Sequence, residues 1–357
     1  MCYNTRVNFR LELVFTKFNV GYPKAKREGF VDGILKRREH IGEVYFSFGD
    51  MTSGRGLQDD VQEFSWETTA RQLDDLGKLS AAGIPLDLLL NGNCYGQDSL
   101  ARSFFMKLGD TVDYIAQRFI LRAVTTTSPI IAKFIRDNFA GLDIRASVNL
   151  GIGTKAALDA TASMFDSFYL KREYNRDMDA LLSVKAWCDA NGKQLYLLAN
   201  SGCMNECPMR TFHDNLVAHE HEIARTDNAY VYRSLCRTVL ENSANRASIV
   251  RDMNYIRPED MHLYEGLVTA AKLATRVSAD PLRTLDAYIE GRYIGAITDL
   301  LEPNNGAAFG NAIVDNSRFP KEFGERVAHC QKKCDACGYC AAVYENALVE
   351  LDKYDIF

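Results

Sequence analysis

At 357 residues the chain is long enough for one large barrel or for two ordinary domains. Hydrophobic residues make up 47% and charged residues 25%, the balance of a compact globular protein rather than a disordered or fibrous one. The net charge of -5, with Lys and Arg scattered, leaves no basic stripe to follow a phosphate backbone by bulk electrostatics. In chain order, short apolar, β-branched or aromatic runs occur at 11–18, 44–48, 86–90, 119–124, 144–150, 167–170, 194–199 and 267–274. Helical periodicity fills the gaps. Residues 68–81 place Leu73, Leu76 and Leu79 on one face, and residues 179–190 carry Leu182 and Ala186 before an Asn191-Gly192 stop. Strands alternating with helices are the signature of parallel βαβ units, and the number of strand runs is that of an α/β, TIM-like (β/α)8 barrel.

A longer insertion, 203–265, separates the last two strand runs, and a helical segment, 281–301, follows the eighth. The predicted organisation is a barrel domain over residues 1–303 and a C-terminal cysteine-rich extension over 304–357. No stretch approaches the roughly 18 uninterrupted apolar residues of a spanning helix. The beginning of the chain lacks the basic and apolar regions of a signal peptide, so the expectation is a cytoplasmic protein without membrane contact.

Reactive groups in such a barrel sit where strands end and βα loops begin. Polar residues follow the strand runs at Asn19, Asp50, Asn91, Asn93, Cys94, Thr125, Thr126, Thr127, Asn149, Lys171, Arg172, Glu173, Asn175, Asn200 and Cys203. Helix capping is the ordinary role for many residues of this type.

Ten cysteines in a cytoplasmic chain suggest metal or catalytic thiols rather than disulfides. Cys330, Cys334, Cys337 and Cys340 are spaced C-x3-C-x2-C-x2-C, so that one loop can wrap four thiolates around a metal. Cubane 4Fe-4S clusters use four cysteines with such C-x2-C runs, whereas structural zinc sites more often use two separated pairs. The first three thiols also match the C-x3-C-x2-C spacing of radical S-adenosylmethionine enzymes. There the motif follows the first strand, and the tail position and fourth cysteine argue against that reading. A second group, Cys203 and Cys207 after the seventh strand run with Cys236 on a downstream helix, can hold a second cluster, with Cys94 as the fourth ligand; Cys188 and Cys2 are not expected to be ligands. Cys236 is otherwise a small core residue. His219 and His221 lack the His-Glu-x-x-His spacing of a zincin and read as part of a solvated helix, whereas His213 lies just after the cysteine loop.

The run Leu197-Leu-Ala-Asn-Ser-Gly-Cys-Met-Asn-Glu-Cys-Pro208, the following Phe212-His213 and the segment Tyr255-Ile-Arg-Pro-Glu-Asp260 resemble the collagenase-like peptidase family U-thirty-two. So do Ile144-Arg-Ala-Ser-Val-Asn149 and Phe168-Tyr-Leu-Lys-Arg-Glu-Tyr-Asn175. The resemblance implies a TIM-like barrel and a 4Fe-4S cluster, one or two here, with Cys203, Cys207 and Cys236 in the family's cluster region. It also implies oxygen-independent hydroxylation of a small molecule or nucleobase, with prephenate or a similar oxygen donor, and a homologous partner subunit. On that reading Lys171, Arg172 and Arg257 hold carboxylates, while Glu173 and His213 complete the catalytic set. The chain departs from the family's glutamate-rich signature and adds the tail cysteines, so the substrate does not transfer. Alternatives are a peptidase, for which no Ser-His-Asp set, nucleophile elbow or zincin helix is visible in the sequence, and a non-catalytic electron-transfer subunit.

Overall fold

The computed structural model describes residues 17–23, 25, 27–54 and 66–351. Strands β1 (Lys17–Gly21), β2 (Ile41–Phe46), β3 (Leu86–Leu90), β4 (Leu121–Thr126), β5 (Asp143–Ala146), β6 (Ser167–Tyr169), β7 (Gln194–Leu198) and β8 (Ala270–Leu273) pair in sequence order, and β8 returns to β1 to close a parallel barrel. The fold is the (β/α)8 barrel that the alternation of runs predicts. The first run begins outside the described residues, as does Cys2, and its described part starts at Lys17. Asn19, which directly follows that run in sequence, is a buried residue of β1 rather than a loop one.

Alternation along each strand separates two environments. Val20, Val44, Phe46, Leu88, Val124, Ile144, Phe168, Leu197 and Leu273 belong to the apolar core shared with the surrounding helices. The alternate positions, Asn19, Glu43, Asp87, Thr125, Arg145, Ser167, Tyr196 and Lys272, point inward and are also buried. Register places them beside one another around the barrel: Asn19 beside Glu43, Thr125 beside Arg145, Arg145 beside Ser167, and Lys272 beside Asn19. A TIM-barrel interior is ordinarily filled by branched aliphatic side chains. Here it is filled by ions, phenols and hydroxyls.

The helix Trp66–Ala81 buries Leu76 and Leu79 as its periodicity predicts. Met178–Ala190 instead buries Leu181, Val184, Trp187 and Cys188, and Leu182 is exposed. The apolar face is set by 181, 184 and 188, one position off the face expected from Leu182. The predicted helical segment 281–301 is also shorter. It starts with Pro281 behind an Asp280 cap and stops after Glu290, where Gly291 takes the left-handed φ of +62° that terminates helices, before a separate turn at Ile297–Leu300.

Beyond this, β9 (Ala312–Val314) and β10 (Leu348–Glu350) form an antiparallel pair, and the helices Phe323–Ala328 and Tyr339–Ala347 lie between them in sequence. Phe323, Val327, Val343, Tyr344 and Ala347 join the same buried core as the barrel helices. Among the described residues, no helix is long and apolar enough to cross a membrane.

Candidate functional site

The barrel interior is organised around Arg145. Its guanidinium is fully buried, pairs with Glu43 (Nη2 to Oε2 3.3 Å) and Asp143 (2.7 Å), lies 3.7 Å from Asp87 and donates to the Tyr196 hydroxyl at 3.2 Å. Burying four or more charges is costly unless they are paired, and the pairing is uneven. Thr125 donates to Asp87 Oδ2 at 2.8 Å, but Asp87 Oδ1 has no hydrogen-bond partner among the described residues. Burial, then Glu43, pushes the Asp87 carboxyl up to about 6, while burial pulls Lys272 down to about 7 against the attraction of Asp87. The Lys272 ammonium sits 3.8 Å from the centroid of the Tyr45 ring, a cation–π contact that compensates part of its desolvation.

Above this layer, at the carboxyl ends of the strands, the loop after β6 carries three residues expected from the sequence. Lys171 Nζ donates to Glu206 at 2.8 Å. Arg172 donates to Cys203 Sγ at 3.5 Å and, through its other terminal nitrogen, to Asn149 Oδ1. Buried Glu173 pairs with Arg210; burial works to raise its carboxyl, but the guanidinium outweighs it and holds it below the usual range. Lys171, Arg172, Glu173 and Cys203 are therefore brought together. His213 stands apart on the helix Arg210–Ala218, its ring centroid 5.3 Å from that of Tyr232. Arg257 also lies elsewhere: it makes a buried bidentate pair with Asp260, both bonds 2.8 Å, and stacks 5.0 Å from the rings of Phe319 and Phe323. A groove of about 620 Å³ lined by Phe48, Leu73, Met106, Lys107 and Tyr114 lies on the outer helices, not at this mouth.

Apart from Cys188, buried in its helix, the described cysteines fall into three groups. Burial pushes the Cys236 thiol up, and nearby Cys203 and Cys207 push it in the same direction. The tail behaves likewise: burial raises Cys340, Arg176 opposes it, and Cys330, Cys334 and Cys337 add to the rise. The Lys332 backbone N–H donates to Cys330 Sγ at 3.3 Å, and Arg251 lies near both Cys334 and Cys340. Lys332 Nζ reaches Asn205 Oδ1 at 3.4 Å, which sets the tail loop beside the Cys203–Cys207 loop. In residue type and neighbourhood these two sets suit a thiolate-held metal group; among the described residues, none is drawn together as closely as a bound ion requires.

Cys94 does not join the Cys203 group. Its thiol lies beside His219, which favours the thiolate, and His219 Nδ1 lies 2.7 Å from Glu222 Oε2. The Gly96 N–H donates to the same sulfur at 3.4 Å. Helix residues that the sequence presents as a solvated face thus reach back to a loop at the barrel mouth. The signal was legible only in part, because a Cys and a His far apart in sequence gain meaning when the fold joins them.

No family model matches the chain. An uncharacterized protease of Methanocaldococcus jannaschii is 23% identical over 322 residues, covering 88% of this chain and 90% of its own length. The structure of a U32 peptidase superposes with a TM-score of 0.53 at 13% identity, covering 72% of this chain and 92% of that one. The chain is thus similar over most of its length to a protein named as a protease, and in fold to a U32 peptidase, in line with the resemblance its motifs carry. The U32 structure shares the barrel fold at this level of identity. An endo-1,4-β-D-mannanase of Thermotoga petrophila is similar at a TM-score of 0.36 and 11% identity.

Proposed function

We propose that the chain is an enzyme working at the carboxyl-end mouth of its barrel, and that it acts as a peptidase. The observation that carries this reading is the similarity over 88% of the chain to a protein named as a protease. The mouth is suited to a peptide in that it joins cationic Lys171 and Arg172, able to engage a carboxylate, to a thiol-bearing loop. The direct test is release of new amino termini from denatured casein by the purified chain, followed in the presence and absence of a metal chelator. Absence of cleavage at high enzyme concentration over a broad pH range removes the reading.

A second reading, an iron-sulfur redox enzyme of the hydroxylase type, is favoured by the neighbouring sulfurs at Cys203, Cys207 and Cys236 and at Cys330, Cys334, Cys337 and Cys340. These residues would hold the clusters, which when bound supply one-electron chemistry; Arg176 and Arg251 would offset the thiolate charge. Under this reading a prephenate-like donor would meet Lys171 and Arg172, and a homologous partner would supply a further cluster. Anaerobic purification with iron and sulfide quantitation decides it. About eight irons would mean that both sets are filled and about four that one is, while zinc without sulfide would end the reading.

A further inference from the structure

We propose that Cys94, His219 and Glu222 form a nucleophile–base–acid triad for acyl transfer at the barrel mouth. The inference rests on the peptidase reading and assigns its reacting groups.

Three features meet at one sulfur. Cys94 lies in the loop after β3, and that loop is held from several sides: Asn91 Oδ1 accepts the Gly54 N–H at 2.9 Å, the Gly92 carbonyl accepts from Thr127, and the Tyr95 hydroxyl donates back to the Leu90 carbonyl. Asn93 Nδ2 reaches Asp214 Oδ2 at 3.4 Å, tying the loop to the helix that precedes His219. The thiol is thus fixed relative to the insertion that carries its partner. His219 approaches closely enough that its Cε1 lies 3.7 Å from where a Cβ on Gly96 would stand. Its Nδ1 is taken by Glu222 at 2.7 Å, so Nε2 is the nitrogen left for the thiol. This is the arrangement in which a carboxylate fixes the tautomer and the opposite nitrogen serves as base. The Gly96 N–H on the sulfur favours the anion in the same way as other hydrogen bonds to thiolates. Consistently, His219 and the Gly96 N–H hold the Cys94 thiol below its usual range, and Cys94 and Glu222 raise the imidazole. The charged groups beside the pair include Glu222 and, through Asn93, Asp214.

The chemistry follows from these roles. The Cys94 thiol proton passes to His219 Nε2 as the sulfur attacks the carbonyl carbon of a peptide amide. A C–S bond forms, the C–N bond breaks, and the imidazolium returns its proton to the leaving amine. Water then attacks the thioester, giving one proton to His219 and its oxygen to the acyl carbon. The C–S bond breaks, and the proton returns to sulfur as the carboxylic acid leaves. No oxidant or further reactant is needed. Glu222 is largely exposed, so its contribution is smaller than that of the base.

The test uses the full chain, reduced and handled anaerobically, with three probes. Iodoacetamide labelling mapped by peptide mass spectrometry is expected to modify the half-buried Cys94 ahead of the exposed Cys330, Cys334 and Cys337 at pH 6.5. His219→Ala should slow that labelling about 10-fold and Glu222→Gln about 2-fold, as loss of thiolate requires. Treatment with 4-nitrophenyl acetate is expected to leave an acetyl group on Cys94, absent in His219→Ala. Casein cleavage is expected to disappear in Cys94→Ala and Cys94→Ser, with circular dichroism checking that both fold. Acetyl-Cys94 formed without casein cleavage supports the triad while the peptidase reading falls. Casein cleavage undiminished in Cys94→Ala overturns the triad and leaves the peptidase reading standing. Ordinary labelling of Cys94 with no acetyl adduct also overturns it.

Discussion

Arg145 on β5 and Glu43 on β2 form an ion pair inside the closed barrel, with both side chains withdrawn from solvent. Asp143 and Asp87 lie against the same guanidinium, at 2.7 and 3.7 Å. Removing Arg145 would leave buried carboxylates without their cation, which typically costs about 3–5 kcal/mol. Arg145→Met is therefore expected to lower stability by about that amount in urea denaturation, and Arg145→Met with Glu43→Gln to recover part of it. A single variant as stable as the parent would show that the interior does not depend on this cation.

Asp87 and Lys272 give the barrel a pH signature. With Asp87 pushed up to about 6, the folded chain holds a proton that the unfolded one releases near 4, so this group's contribution falls as pH rises between those values. Lys272, pulled down to about 7, works in the opposite sense: from there to about 10.4 the unfolded chain holds the extra proton, so stability rises with pH. The pair is thus least favourable near pH 6–7. Melting temperatures of the parent at pH 4.5, 6.5 and 9 should dip in the middle; Asp87→Asn should flatten the acid limb, and Lys272→Met the alkaline one. A flat parent profile with unchanged variants would contradict these shifts.

The barrel was legible because each strand leaves an apolar run and each helix a periodic face. Its interior was not. Asp87, Arg145 and Lys272 are single polar letters inside such runs, Asn19 and Glu43 flank theirs, and only closure of the sheet turns them toward one another. The tail cysteines stand out in the sequence because they fall in one short stretch. Cys94 and His219 do not, because β3 and the insertion after β7 meet only in three dimensions, and Cys94 was expected beside Cys203. Arg257 misleads for a related reason: a basic residue in the segment that carries the family resemblance reads as a carboxylate ligand until Asp260 is seen to occupy it.

Arg257 consequently yields a stability prediction. Its pair with Asp260 is buried, the neighbouring rings belong to Phe319 and Phe323, and a Cβ on Gly324 would stand 2.4 Å from Asp260 Cγ. Arg257→Ala should destabilise by about 3 kcal/mol, with Arg257→Lys restoring little because an ammonium cannot reproduce the bidentate fork. Limited proteolysis should cut first after Asn304. Gly324→Ala should produce the same pattern through the clash. Unchanged melting together with a large rise in KM would instead make Arg257 a substrate ligand.

Arg172 is the mouth residue whose role can be separated from stability. It is buried, its Nη1 donates to Cys203 Sγ at 3.5 Å and its Nη2 to Asn149, while the sequence suggests a carboxylate partner for it. A guanidinium that binds a substrate carboxylate in two places loses about 1.5–3 kcal/mol of interaction when it becomes an ammonium or is removed, roughly a 10-fold to 100-fold effect. On the peptidase reading, Arg172→Lys should therefore raise KM for a casein-derived fluorogenic peptide about 10-fold with little change in kcat. Arg172→Ala should raise it further, and amidation of the peptide's carboxyl terminus should erase the difference between the variants and the parent. Equal losses on free and amidated peptides, accompanied by a lower melting temperature, would show that Arg172 braces the Cys203 loop and does not bind the substrate.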